Sequence, residues 1–237
     1  MAELFVGKQI SKESFELTQG EVHHCMRVMR HRIGDDILIT QFDGSIYLGT
    51  IESVEKERVL VNLQHMHSHE PVPDNRLAIG ISLTQQVDRF EWFLEKAVEN
   101  GIHDVFPLIC ERTEFKKINV ERMHRIMYTA AKQTLRPLMP VLHALIPFKT
   151  IFQHLGDFSQ RFIGHCEEDG IKKFLGASYQ KQSSAIVFIG PAGDFTPKEI
   201  EWALSNDCIP ISLGPYRLRT ETAGLTALQI LQTIRQL

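Results

Sequence analysis

Residues 185–190 read Ala-Ile-Val-Phe-Ile-Gly, an apolar run with no polar alternation. A strand of that kind has no face to offer water, so it belongs inside a sheet covered on both sides. Pro191 follows, and then Thr196-Pro197-Lys198-Glu199, which has the form of a capping box with proline in the first helical position. The same order of strand, loop and helix recurs upstream and downstream. Leu77–Leu83 is a short apolar run, followed by Phe90, Phe93, Leu94 and Ala97 at helical spacing and by Gly101 as a stop. Asp104–Cys110 and residues 141–146, 161–166 and 209–213 are further expected strands. Helices are expected over about 119–135, 148–155, 197–206 and 221–236. This alternation predicts an α/β fold, a mostly parallel sheet with helices on both faces.

The first 70 residues follow a different rule. Short apolar runs are broken by turn signals, with Asp43-Gly44 between Ile37–Phe42 and Ile46–Ile51 as a hairpin, because such a turn needs positive φ. Dense short strands predict a small β-barrel, interrupted by one helical segment from Glu21 to Arg32. Residues 65–75 are polar and carry prolines, and read as the end of a strand and a linker. The boundary is placed near Val72, giving a barrel domain over 1–72 and an α/β domain over 73–237.

Bulk properties narrow the function. The 237 residues carry a formal net charge of −3, which excludes a uniformly basic nucleic-acid binder but leaves local patches open. Two such patches exist. Residues 22–32 hold Arg27, Arg30, Arg32 and three histidines with no acid, and residues 112–136 hold seven basic residues against Glu114 and Glu121. One patch per domain is expected to form a shared surface for RNA phosphates. Cys25, Cys110, Cys166 and Cys208 stand alone, so no CxxC zinc or redox motif exists. His65, His67 and His69 alternate, but no further ligand pattern lies nearby, so no metal is expected. Neither a secretory signal nor a membrane span is read, and the scattered thiols point to a reducing, cytoplasmic setting.

The chain has no GxxxxGK[ST] and no GxGxxG after a strand, so ATP hydrolysis and nicotinamide redox chemistry lose their main support. Attention falls on two Gly-Pro loops. One follows the strand ending at Gly190; the other, Gly214-Pro215, precedes Arg217, Arg219, Thr220, Glu221 and Thr222 at a helix start. Gly-Pro also serves in plain tight turns. Polar groups gathered at the carboxyl ends of strands, where open α/β sheets bind ligands, favour a site.

The segment Leu213-Gly214-Pro215-Tyr216-Arg217-Leu218-Arg219-Thr220-Glu221-Thr222-Ala223 resembles the LGxRxLRTETA motif of the RsmE family of 16S ribosomal RNA uridine methyltransferases, within the SPOUT class. Ile189-Gly190-Pro191-Ala192-Gly193-Asp194 is similar to that family's IGPEGG loop. His23–Arg30 with Gly34-Asp35, and Arg89 through Gly101, resemble its HHLxxVLR…GD and KxExxxQKxxELG elements. The chain departs from the pattern at Ala192, Asp194 and Tyr216, where the family has glutamate, glycine and arginine.

The resemblance implies a PUA-like barrel before a SPOUT domain whose C-terminal segment is tied in a trefoil knot. It implies a homodimer that methylates N3 of a uridine in the 16S RNA of the small subunit, with S-adenosylmethionine as cofactor. Arg219 and Glu221 would be catalytic. Gly190, Pro191, Ala192, Gly193, Leu213, Gly214, Pro215, Leu218, Thr220 and Ala223 would hold the cofactor. Arg27, Arg30, Arg112 and Arg136 would hold RNA. Other SPOUT activities, on ribose 2′-oxygen or on transfer RNA, and a non-catalytic RNA-binding or assembly role stay open.

Overall fold

The computed structural model describes residues 3–156, 158–167 and 172–237. They divide into two compact units, one of residues 1–72 with 128–139, the other of residues 73–127 with 140–237.

The first unit is a closed barrel. Strands β1 (Leu4–Gln9) and β2 (Ser14–Leu17) precede a short helix α1 (Gln19–His23). Strands β3 (Asp36–Thr40), β4 (Ser45–Glu55) and β5 (Arg58–His69) complete it in the order β1-β2-β5-β4-β3. The parallel pairing of β1 with β3 closes the ring. Alternate residues point inward, so Phe5, Phe15, Ile37, Ile39, Ile51, Val59 and Val61 form one core with Val22 and Cys25. Three register shifts between β4 and β5 bend the two long strands around it.

The expected hairpin joins β3 and β4, but its loop has four residues. Positive φ therefore falls on Phe42 (61°) and Gly44 (98°), and Asp43 instead accepts a hydrogen bond from the Ser45 amide (3.1 Å). The expected helix over Glu21–Arg32 is shorter. After α1 it widens into a π-turn, His24–Val28, and stops where Arg30 enters the left-handed region (φ 60°). The His31 amide then reaches back six residues to the Cys25 carbonyl (3.1 Å), which closes the helix end.

The second unit continues with β6 (Leu77–Ser82), α2 (Val87–Glu99), β7 (Asp104–Ile109) and α3 (Val120–Gln133). Next come β8 (Val141–Leu142), β9 (Ile146–Pro147), α4 (Phe148–Ile151), β10 (Gln160–Gly164), β11 (Lys173–Phe174) and α5 (Leu175–Ser178). The chain ends with β12 (Ala185–Ile189), α6 (Pro197–Ser205), β13 (Ile209–Ser212) and α7 (Thr220–Gln236). The sheet order is β11-β13-β10-β12-β6-β7-β8, with β9 also on β7, and every pairing is parallel. Ile186 and Phe188 face a core shared with Phe148 and Ile151 of α4 and Ile200 and Ala203 of α6. On α7, Gly224 lies against Phe93 of α2 and Ile81 of β6. Both sides of the central strands are thus covered, which is why their sequences carry no polar alternation.

The strand expected over 141–146 is two short pieces. Between them His143 turns to the buried Asp104, its Nε2 donating to Oδ1 at 2.8 Å, and stacks on Phe106 with ring centroids 3.7 Å apart. The His143 amide still donates to the Val105 carbonyl of β7 (2.9 Å), and pairing with β7 resumes at Ile146.

Helix α3 is divided between the units after Met127. Its last turns are bound to the barrel by Glu21, which is 4% exposed and accepts from the Tyr128 hydroxyl and the Lys132 ammonium, each at 2.7 Å. Burial and the Glu21 charge both push the Tyr128 pKa up. Removing one partner of a buried ion pair strands the other. Glu21→Gln should therefore cost the barrel about 3 kcal/mol, read as a lower urea midpoint, and Glu21→Leu with Lys132→Met should recover most of it. An unchanged midpoint in Glu21→Gln would sink this account.

Candidate active site

Parallel strands bring like ends together. In the order β13-β10-β12, the loops leaving β12 and β13 emerge on either side of the end of β10. There they enclose a cleft of about 750 Å³. Gly190 through Gly193, Leu213 through Pro215, Leu218 through Glu221, and Ala223 all line it, so every cofactor and catalytic residue expected from the sequence lies in one place. The Thr220 hydroxyl donates to the Gly190 carbonyl (3.0 Å), joining the start of α7 to the end of β12.

The first loop is held by side chains whose roles the sequence did not reveal. Asp194 adopts φ 70°, a region open to glycine and, among other residues, mainly to Asn and Asp. Its carboxylate accepts from the Phe195 amide (2.8 Å) and from the Cys166 amide (2.6 Å) at the end of β10. The departure from glycine thus keeps the backbone shape and adds a tie to the next loop. Arg112 donates to the Gly193 carbonyl and, at 3.4 Å, to that of Phe195. The capping box expected at Thr196 and Glu199 is present, and Glu199 Oε1 also accepts from the Glu111 amide (2.8 Å). The loops after β7, β10 and β12 therefore support one another. Bonds between a side chain and a distant amide leave no periodic trace in sequence.

Of the acids that line the cleft, Glu221 is buried in the first turn of α7. Its cation is Arg89 of α2, with Nε 3.9 Å from Oε1. Arg89, which opens the helix motif of residues 89–101, also lines the cleft. Arg219 is the exposed N-cap of α7; its carbonyl accepts from the Ala223 amide (2.7 Å), while its guanidinium has no hydrogen-bond or ion-pair partner among the described residues. Glu221 faces Arg89, and the Arg219 guanidinium is left to meet a ligand.

The basic residues expected to hold RNA separate into two kinds. Arg27 and Arg30 are exposed on and just after the π-turn of the barrel unit. Arg136 is 7% exposed, and burial pushes its pKa down to about 10 against the favourable charge of Glu70. A guanidinium buried in the barrel unit does not meet a phosphate, so Arg136 is withdrawn as an RNA contact. Within the second patch Arg112 serves the loop carbonyls, Arg122 pairs with Glu91 (2.8 Å) and Lys132 with Glu21. Lys116 and Lys117 are exposed.

Thiol chemistry reports on the cleft. Burial pushes Cys25 up to about 11 and Cys110 and Cys208 up to about 12, which leaves them protonated and inert near neutral pH. Cys166 is the exposed thiol and lines the cleft, its pKa raised by partial burial and then by the Asp194 charge. Iodoacetamide at pH 8 should add one group, at Cys166, faster as the pH rises, and four after unfolding. Intact-mass measurement checks this, and labelling of a second thiol in the folded protein would contradict it.

Comparison with known proteins agrees with this geometry. The profile of an RNA methyltransferase domain matches residues 71–232, and that of an RNA methyltransferase PUA domain matches residues 17–64. The chain is 31% identical over 227 residues to the ribosomal RNA small subunit methyltransferase E of Bacillus subtilis, covering 91% of this chain and 88% of that one. A crystal structure of an rRNA-methyltransferase candidate from Porphyromonas gingivalis matches 99% of this chain and 98% of its own, with a TM-score of 0.88 at 33% identity. The Neisseria gonorrhoeae ribosomal RNA small subunit methyltransferase E, solved with S-adenosyl methionine bound, shares the fold with a TM-score of 0.85 at 24% identity, covering 99% and 98% of the two chains. By these matches over both of its units, the chain belongs to the family of ribosomal RNA small subunit methyltransferases E.

Proposed function

We propose that the chain methylates N3 of a uridine in the 16S RNA of the small ribosomal subunit, with S-adenosylmethionine as methyl donor. The observation that carries this reading is the single cleft built from both Gly-Pro loops, with Arg219 and Glu221 on its wall. Its volume is in the range of about 300–1,000 Å³ common for small-ligand pockets. Its donors suit this cofactor. Backbone groups of the two loops suit the edge of an adenine, and Ile189, Ile211, Leu213 and Leu218 suit its faces. The cofactor carries no phosphate, in keeping with a chain that lacks phosphate-binding motifs.

When bound, the cofactor supplies an electrophilic methyl group on a sulfonium. The residues of this chain manage the charge of the nucleophile. Uracil N3 carries a proton at neutral pH, and its removal spreads negative charge over the two ring oxygens. Arg219, its guanidinium free of internal partners among the described residues, meets that charge. Glu221 accepts the N3 proton, and Arg89 beside it fixes its position. Arg27 and Arg30 hold phosphate on the barrel unit. A knotted C-terminal segment, a homodimer, domains divided at Val72 and action in the cytoplasm belong to the same reading.

Arg219→Ala should lower kcat on small subunits about 100-fold, the scale of losing one donor to developing charge. Its cofactor affinity by calorimetry should stay near that of the unaltered chain. Nucleoside mass spectrometry of the product should show base rather than ribose methylation. S-adenosylmethionine should also shield Cys166 from alkylation. Full activity in Arg219→Ala would remove the assigned role, and cofactor that neither binds nor shields would remove the reading as a whole.

A further inference from the structure

We infer that Tyr216 is a stacking platform for an unpaired base of the RNA substrate, at the mouth of the cleft, and so helps to set which nucleotide enters. The inference deepens the proposed function and rests on it. Tyr216 is 83% exposed, the highest value among the large apolar side chains of the described residues. It lines the same cleft as Arg219 and Glu221. Its ring and hydroxyl make no contact with another ring and no hydrogen bond among the described residues. The loop around it is exposed from Gly214 to Arg219, with the Ser212 hydroxyl bonded to Gly214 at its base (3.1 Å).

The chemistry of the target explains the need. N3 lies on the Watson–Crick edge of uracil, so it is reached only in a nucleotide that is unpaired and drawn out of its stack. Bases exposed in this way gain by stacking on aromatic side chains, and arginines beside the platform hold the backbone. Tyr216 stands next to Arg217, with Arg219 two residues further into the cleft. An aromatic face at the rim and a guanidinium inside match a base that flanks the target and a uracil whose oxygens become charged. Tyrosine stands here where the motif of the related enzymes has arginine, and Arg217 supplies a cation one position later.

The test compares the full-length chain with Tyr216→Ala, Tyr216→Phe and Tyr216→Trp on small subunits from a strain without the methyltransferase. Tyr216→Ala should raise KM for subunits about tenfold, the loss expected for one stacked base, and affect kcat much less. Phe and Trp should restore KM, because stacking needs a ring and not a hydroxyl. Adding subunits should quench the extra fluorescence of Tyr216→Trp above the background of Trp92 and Trp202. Unchanged KM in Tyr216→Ala, or failure of Phe to rescue it, would overturn the inference. So would a change in sedimentation of the Ala variant alone, since Tyr216 would then cover a second copy of the chain. If the unaltered chain transfers no methyl group, the proposed function fails, and the quenching decides the platform separately: quenching supports it and no quenching overturns it.

Discussion

The hydrogen bond from the Thr220 hydroxyl to the Gly190 carbonyl is the point on which the site depends. It forms because β10 lies between β12 and β13, so that two loops leaving parallel strands face one another across one strand width. Without that order, two Gly-Pro turns would be two ordinary βα connections. With it, their backbones become the walls of a single cleft, and the N-terminal turn of α7 brings Arg219 and Glu221 to its edge. A cleft walled largely by backbone also tolerates substitution. The loop that carries Ala192 keeps its shape through Asp194, Arg112 and Glu199.

Charge is used sparingly in this chain. The stretch 112–136 is the most basic part of a protein with net charge −3. Much of that positive charge is spent inside the fold, on loop carbonyls by Arg112, on Glu91 by Arg122 and on Glu21 by Lys132. Arg136 is buried. Counting charges along a sequence finds where cations are concentrated, but their availability depends on whether an acid or a carbonyl lies within about 4 Å in the folded chain. The exposed cations that remain include Arg27 and Arg30 on the barrel unit, Lys116 and Lys117 ahead of α3, and Arg217 and Arg219 at the cleft.

The sequence by itself determined the elements and the sites of their turns. Helical spacing at Phe90, Phe93, Leu94 and Ala97 gave a helix with those residues buried, and uniform apolar runs gave strands covered on both faces. The capping box at Thr196 and Glu199 and the Gly101 stop were equally legible. These signals are local, because dihedral preference and burial period act over a few residues. Only the tertiary structure decided the strand order that merges the two loops, the pairing of Glu221 with Arg89, and the grip of Asp194 on the Cys166 amide. It also decided that the end of α3 belongs with the barrel, through Glu21, and that His143 pairs with Asp104 between β8 and β9. Each of these joins groups far apart in the chain through one bond, and a single long-range bond has no period, spacing or composition by which a sequence could announce it.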